Sequence, residues 1–525
     1  MTKQLQLLVV MVHVLISCDP AAEESDFPIM GNLELGNYQV GYQTLFIYDE
    51  TRPPVPFADW DGRLYPEKEP APGRQHQINL WYPAEKGTGN KLRFEHYVHL
   101  LGRMTNFNDS PAQHEFGEQI FIDRTNGLGG EGTFTKTHLD SLMAMQVISR
   151  IGARVANGKF PLVLFPNTTS PAFNSITCEY LASHGFVVAG FVAKGRFSSA
   201  HEVSTIGLET AVDDLEFALS KVSQLPYIDT ERVALMANAI VSSVCAAAVS
   251  RNPRIKALIS IEGGFPSAFE QRLLRGSVFY QPENMKTPTL VIYASHPSID
   301  PQYTFHLKYS DRYYARFPQM SEFAMLNFGM FDSFIPDIIG KNKGTQLGYE
   351  TANRLVLRFL EGRLKDVEQE LFGPGFLSET REAVDTVFFK KGLAVPPNIA
   401  QMKNYFFTGG FAKVDSVYQA HREQGDRAPF SPSFITNYRI WLSWEKDDDY
   451  QYRHRLYNMA YESYPESCRI NFYLAYYAKQ TGNSDQARTH YRKALQLMDQ
   501  PDDPPLLHDE KERIRGWIAE DLKEL

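Results

Sequence analysis

Short apolar runs alternate with longer amphipathic stretches through the middle of the chain. Phe160–Phe165, Phe186–Val192, Arg232–Met236, Ile255–Ile261 and Thr289–Tyr293 read as strands. Each is apolar nearly throughout, the pattern of strands buried on both faces. Asn174–Ser183, closed by Gly185, and Glu209–Gln224 read as helices between them. Apolar strands separated by helices of that length form βαβ units, so the pattern predicts an α/β fold on a doubly wound, mostly parallel sheet. Upstream, Gly41–Tyr48 alternates apolar with polar, Arg52-Pro-Pro-Val-Pro breaks it, and Gln77–Pro83 is a second strand. Residues 85–158 are mixed and largely helical in pattern, as an insertion or cap over one end of a sheet would be. Within them Asn126–Gly132 is glycine-rich. It follows no clear strand and has no Lys-Ser/Thr pair, so it reads as a flexible surface loop rather than a phosphate loop. Tyr349–Leu364 is the last helical layer.

After Pro396-Pro397 the strands stop and a repeat begins. Leu474-Ala-Tyr-Tyr-Ala478, Gly482, Ala487, Tyr491 and Ala494 have the spacing of a tetratricopeptide unit. Ile440-Trp441, Trp444, Tyr457, Ala460 and Pro465 match them at an offset of 34 residues, and a looser unit covers Ile399–Glu423. Small residues at fixed spacing let the two helices of a unit approach closely. A generic helical bundle is the plainer alternative. The expected organisation is therefore a leader over 1–18, a tether over 19–37, a sheet domain over 38–365, a linker over 366–395 and a helical repeat domain over 396–525.

Composition adds bounds. A chain of 525 residues is long for a single domain. Its formal net charge of -9, with no basic run, argues against nucleic acid as a partner. No internal apolar run reaches the roughly 18 residues that span a bilayer. The first residues differ: Lys3 precedes an apolar stretch, Leu5–Ile16, interrupted by Gln6 and His13. Leu15-Ile-Ser-Cys18 then resembles the bacterial lipobox, which would make Cys18 a lipidated N-terminus and the acidic residues after it a tether. The alternative is a cleavable secretory signal with an incidental cysteine. Either way the expected location is outside the cytoplasm, and with the lipobox it is the bacterial cell envelope. Cys178, Cys245 and Cys468 have no metal-ligand or disulfide spacing and read as small buried hydrophobes.

The segment Glu231–Ala248 carries the candidate chemistry. A short apolar strand turns abruptly into a helix of small residues. In an active hydrolase such a turn reads Gly-x-Ser-x-Gly and lifts the serine oxygen above the sheet. Here Ala237 and Val241 hold the glycine positions and Ala239 the serine position. With Gly36–Tyr42, Asn79–Ala84, Phe160–Pro166, Tyr180–Val188, Asp213-Asp214, Leu225-Pro226 and Asp229–Val233 in that order, residues 38–365 resemble an α/β-hydrolase of the platelet-activating-factor acetylhydrolase and dienelactone hydrolase type.

That resemblance implies a Ser-His-acid triad and an oxyanion hole. It places the nucleophile at Ala239 and the acid at Glu262, with Asp300 as the rival acid. The histidine falls at Met330, within Ala324–Asp332. The oxyanion donors fall at Ile240, after the nucleophile, and in the Asn167-Thr168 turn. Two triad positions therefore lack the required side chain, and no histidine lies between His306 and His421. Ser242 and Ser243 fall about one helical turn beyond the corner, facing the helix interior or a neighbour. Glu262 reads equally as a carboxylate satisfied by local N–H groups.

The expected function is a lipid-anchored pseudo-hydrolase that acts as a binding scaffold. It would bind a protein through the C-terminal helices or an unidentified small molecule. It needs no cofactor and no metal. The alternative is an ester hydrolase using non-standard groups, such as Glu262 or Asp300 activating water.

Overall fold

A computed structural model describes residues 27–55, 71–129, 133–168, 170–197, 201–296, 298–335, 338, 345–445, 450–500, 502 and 506–525. Cys18, the leader and most of the expected tether lie outside the described residues. In chain order the elements are β1 Gln39–Asp49, β2 Arg74–Ala84, β3 Asn90–Arg93, α1 Glu95–Leu101, α2 Pro111–Gly129, α3 Lys136–Met143, β4 Gln146–Ile151 and β5 Phe160–Asn167. Then come α4 Ser175–Ser183, β6 Val187–Val192, α5 Thr205–Val222, β7 Ile228–Asn238, α6 Val241–Arg251, β8 Ile255–Ile261, α7 Ala268–Gly276, β9 Thr289–Ala294 and β10 Arg312–Phe317. The chain continues with α8 Phe328–Phe331, α9 Thr345–Leu364, α10 Pro374–Thr380, β11 Thr386–Lys390, α11 Ile399–Glu423, α12 Pro432–Glu445, α13 Gln451–Ser463, α14 Cys468–Gln480, α15 Ser484–Leu497 and α16 His508–Glu524.

The chain divides into two compact units. The first holds the described residues of 27–202, 213–233 and 317–385; the second holds the described residues of 203–212, 234–316 and 386–525. Both are mixed α/β. In the first, neighbouring strands run β7-β5-β6-β2-β1-β4-β3. β5 and β6 are parallel, with Leu162 opposite Val187, and every residue of both is buried. β2 pairs antiparallel with β1 and with β6. All of β2 is buried although it opens on Arg-Gln-His-Gln, three residues before the expected start at Gln77. The polar side chains there are paired inside: Arg74 with Asp214 at 2.6 and 2.7 Å, and Gln77 with the Leu100 carbonyl at 2.8 Å. Hydrogen bonding of that kind is what allows polar groups to be buried.

Residues 85–158 are not wholly helical. Their β4 adds to β1 in parallel and β3 adds to β4. Asn126–Gly129 belongs to α2 instead of a loop, and the Asn126 side chain bonds both backbone groups of Phe134 at 2.9 and 3.0 Å. Residues 130–132 lie outside the described residues.

The second unit orders its strands β11-β10-β9-β8-β7. β8 and β9 are parallel, while β11, inside the expected linker, is antiparallel to β10. Tyr314 and Phe388 stack across that pair at 4.3 Å. From α11 on, the unit is helical, and each helix from α11 to α16 packs against the next. The 34-residue offset relates α12 and α13 to α14 and α15. Tyr457 and Tyr491, and Ala460 and Ala494, are buried counterparts. Trp444 breaks the equivalence: it is 82% exposed, while its counterpart Ala478 is 0% exposed. Cys178, Cys245 and Cys468 are free and buried. Among the described residues no helix is long and apolar enough to cross a membrane.

Candidate functional site

In the second unit the buried end of β7 turns at Ala239, whose φ is 50°. That left-handed conformation is costly for any residue with a Cβ. Two features hold it. The Ala239 N–H donates to the Ile261 carbonyl at 2.9 Å, and Ser242 Oγ–H donates to the Ala239 carbonyl at 2.9 Å. The chain leaving β8 is left-handed too, at Glu262 (φ 45°), Gly263 (φ 96°) and Gly264 (φ 71°). A Cβ on Gly264 would lie 2.5 Å from the Ala239 carbonyl oxygen and 1.6 Å from Ser242 Oγ, so the two strand exits interlock. Ile240 follows the corner in helical conformation and starts α6, ten of whose residues, Val241–Ser250, are buried.

The corner has a strained left-handed backbone and carries only a methyl group. Ser242 and Ser243 are fully buried. Ser242 Oγ also lies 3.1 Å from the Gly263 carbonyl and 3.0 Å from Ser260 Oγ. Asn238, one residue before the corner, has both side-chain polar atoms buried without a partner among the described residues, a feature that the sequence pattern did not single out.

Glu262 follows β8 and is 3% exposed. Its N–H donates to the Ile292 carbonyl at 2.8 Å and its carboxylate accepts the Ala294 N–H, so it ties the ends of β8 and β9 together. Asp300 caps a short turn, accepting the Gln302 N–H at 2.8 Å. The structure thus brings Ala239, Ile240 and Glu262 to neighbouring strand exits. It gives Asp300 a capping role.

The remaining expected positions lie in the first unit. Asn167 ends β5 and is buried. Its Nδ2 donates to the Phe165 carbonyl at 2.6 Å and its Oδ1 accepts from Asn174. Thr168 is the next residue and half-buried. Met330 sits within α8 and is fully buried, its Cε packed close to Gly31. The segment around it is fastened by Asn327. Asn327 donates to the Ala172 carbonyl at 2.9 Å, while its Oδ1 accepts from Tyr349 at 3.1 Å. Phe328 and Phe331 add ring contacts to Phe173 and Phe94. Met330 is a core side chain, and no side chain of α8 is placed to take up a proton.

No family model matches the chain, and no curated protein matches it. Among solved structures it is similar to a ferulic acid esterase from Streptomyces cinnamoneus, at 17% identity and a TM-score of 0.47, over 67% of this chain and 97% of that one.

Strongly perturbed groups occur elsewhere in the first unit. Glu179 is enclosed, and burial pushes its carboxyl up to about 7. It accepts the Tyr97 O–H at 2.6 Å, and Tyr97 in turn accepts Trp81 Nε1–H at 2.9 Å. Burial likewise draws Lys194 down to about 7. The Lys194 ammonium donates to the carbonyls of Gln75 and Met104. Perturbation of this kind flags active sites. Here, though, the cavity beside Lys194 measures about 10 Å³, room for one water at most. Both groups are held by buried hydrogen bonds. No cluster of His, Cys, Asp or Glu that could hold a metal occurs among the described residues.

The second unit has a larger opening of about 1340 Å³, with Tyr280, His306, Tyr309, Pro397, Phe434 and Tyr464 in its wall. His306 is drawn down to about 4 by burial, and its Nε2 pairs with the Tyr280 hydroxyl at 2.5 Å. The sequence held no sign of this cleft, because its walls come from segments more than a hundred residues apart.

Proposed function

We propose that the chain is a lipid-anchored, catalytically silent protein of the α/β-hydrolase kind that works as a binding scaffold. The observation that carries the reading is Ala239, a methyl group on a left-handed strand-to-helix corner. A fold has little reason to keep that backbone except by descent from, or in common with, one that used it. Without a hydroxyl there is no acyl acceptor. Without a base at Met330 a restored hydroxyl would keep its proton. Glu262 offers no replacement, because its carboxylate accepts the backbone N–H of Ala294. In this reading Cys18 carries the lipid, the location is the cell envelope, and the helix pairs from α12 to α15 are tetratricopeptide-like units offering a surface to a protein partner.

The test is covalent labelling by a fluorophosphonate together with turnover of short-chain nitrophenyl esters. The wild type is expected to give neither. Ala239→Ser alone should remain inactive, and Ala239→Ser with Met330→His is the smallest change with a chance of rescue. Labelling of any serine over residues 237–245 in the wild type overturns the silent reading. Palmitate labelling of wild type against Cys18→Ala tests the anchor separately; equal labelling of the two removes it.

A further inference from the structure

The chain is acidic overall, at a formal net charge of -9, yet one cavity in the second unit has the opposite character. It measures about 490 Å³ and is lined by Lys308, Arg312, Lys390, Lys391 and Arg427, with Asp426 the one carboxylate in its wall. Asp426 is already engaged. It pairs with Lys308 Nζ at 2.6 Å and accepts the Tyr309 O–H at 2.9 Å. Arg312 is buried, and backbone carbonyls hold its guanidinium: Ser310 at 3.0 Å from Nε and Phe305 at 3.0 Å from Nη1. The neighbouring Asp311 is turned to the Gly392 N–H at 2.8 Å. Lys390 lies 3.9 Å above the Phe305 ring, a contact that orients the ammonium and leaves its charge in place. Lys391 and Arg427 are exposed at the rim.

After the Lys308–Asp426 pair is set aside, Arg312, Lys390, Lys391 and Arg427 converge on one space. Convergent cations on an acidic chain raise the local concentration of anions. A guanidinium fixed by carbonyls, together with lysines, suits a dianion with several oxygens better than a single carboxylate. Phe305 and Leu393 supply an apolar wall, and the space exceeds what a bare phosphate would fill. We propose that this cavity binds a phosphomonoester, with the phosphate among Arg312, Lys390, Lys391 and Arg427 and the organic part against Phe305 and Leu393. The proposal does not depend on whether the Ala239 corner is catalytic.

The test is calorimetric titration of the full chain with glycerol 3-phosphate and with inorganic phosphate. It is accompanied by sedimentation with phosphatidylcholine vesicles with or without phosphatidic acid. Glycerol 3-phosphate should bind at one saturable site, and more tightly than inorganic phosphate. Lys391→Ala and Arg427→Ala, both at the rim and so harmless to folding, should each weaken it about tenfold, the effect of losing one charge-assisted hydrogen bond. Additional binding to phosphatidic acid vesicles that the same variants lose would make the source a lipid headgroup; its absence, with glycerol 3-phosphate still bound, would make the source soluble. No saturable binding of glycerol 3-phosphate, or binding that both variants leave unchanged, overturns the proposal.

Discussion

Ala239 and Met330 are the positions that the resemblance to α/β-hydrolases assigns to a nucleophile and its base, and the protein treats the two positions differently. At Ala239 the side chain is a methyl group and the backbone forms a left-handed corner. At Met330 the side chain is large and fully buried, and the surrounding segment is packed as core. The difference follows from what each position touches. The corner is interlocked with Gly263 and Gly264 through the Ala239 carbonyl and Ser242, so relaxing it would shift two strand exits at once. The Met330 segment is fastened instead through the Asn327 side chain, which leaves the Met330 backbone helical. An apolar side chain there gains the burial of its full surface, roughly 1.5–3 kcal/mol for a side chain of that size. Packing thus fixes the backbone at one position and the side chain at the other.

That contrast is broken or sharpened first at Gly264. Gly264→Ala puts a methyl group against Ser242 Oγ and the Ala239 carbonyl oxygen at a φ of 71°. Ser242 can rotate, but the carbonyl cannot move without the corner. Strain and overpacking together should cost about 4 kcal/mol in chemical denaturation. Adding Ser242→Ala should recover only a small part. A loss under about 1 kcal/mol would mean that the two strand exits do not constrain each other.

Met330→Ala comes next. Removing a fully buried methionine leaves a cavity, and about 3 kcal/mol of destabilisation is expected. Near-neutral behaviour would show that the segment is loosely packed, and the distinction from Ala239 would disappear.

Neither position titrates, so the response to acid must arise elsewhere, and histidines in each unit supply it. Burial, with help from Arg103, holds His96 at about 4 against an ordinary value of 6.5; burial does the same for His306. Because the folded value is lowered, the unfolded chain binds more protons below pH 6.5. The stability associated with each histidine is present above 6.5 and lost as pH falls through about 4. His96 is only partly shielded over its whole surface, which limits the effect to about 2 kcal/mol. His96→Phe should flatten the acid limb of a stability-versus-pH curve by that amount and leave the neutral region nearly unchanged. An unaltered acid limb removes His96 as a source.

How much of this was legible depends on what each segment buries. β5, β6, β8 and β9 are enclosed and therefore nearly all apolar, and they stand out in the chain. β10 and β11 mix aromatics with charges because each is partly exposed, and β11 is only Thr386–Lys390, so neither stood out. The small-residue run after β7 pointed to the corner at Ala239. A Glu262 satisfied by backbone N–H groups was among the readings of the sequence, but that the donor would be Ala294 was not legible, since it lies on the next strand. The helical character of the C-terminal region was legible, and Tyr457 with Tyr491 and Ala460 with Ala494 are buried at a 34-residue offset. Trp444 was counted by residue type alone and proved exposed. The cationic cavity was invisible because Lys308 and Asp426, which meet in its wall, are 118 residues apart.

The smallest expected effect is the most direct test of the corner. A left-handed residue with a Cβ is strained by roughly 1–2 kcal/mol relative to a comfortable conformation, and glycine escapes most of that cost. Glycine also gives the unfolded chain more freedom, which subtracts about 0.4–1 kcal/mol from the gain. The methyl group of Ala239 is only partly buried, so its removal sacrifices little packing. The balance favours Ala239→Gly by about 0.5–1 kcal/mol, against the usual direction of an alanine-to-glycine change. Denaturation midpoints of wild type and Ala239→Gly, measured at one denaturant slope, decide the matter. A destabilised variant would mean that the corner sits in an ordinary right-handed or extended conformation, and Ala239 would then resemble Met330 after all, a position governed by side-chain packing.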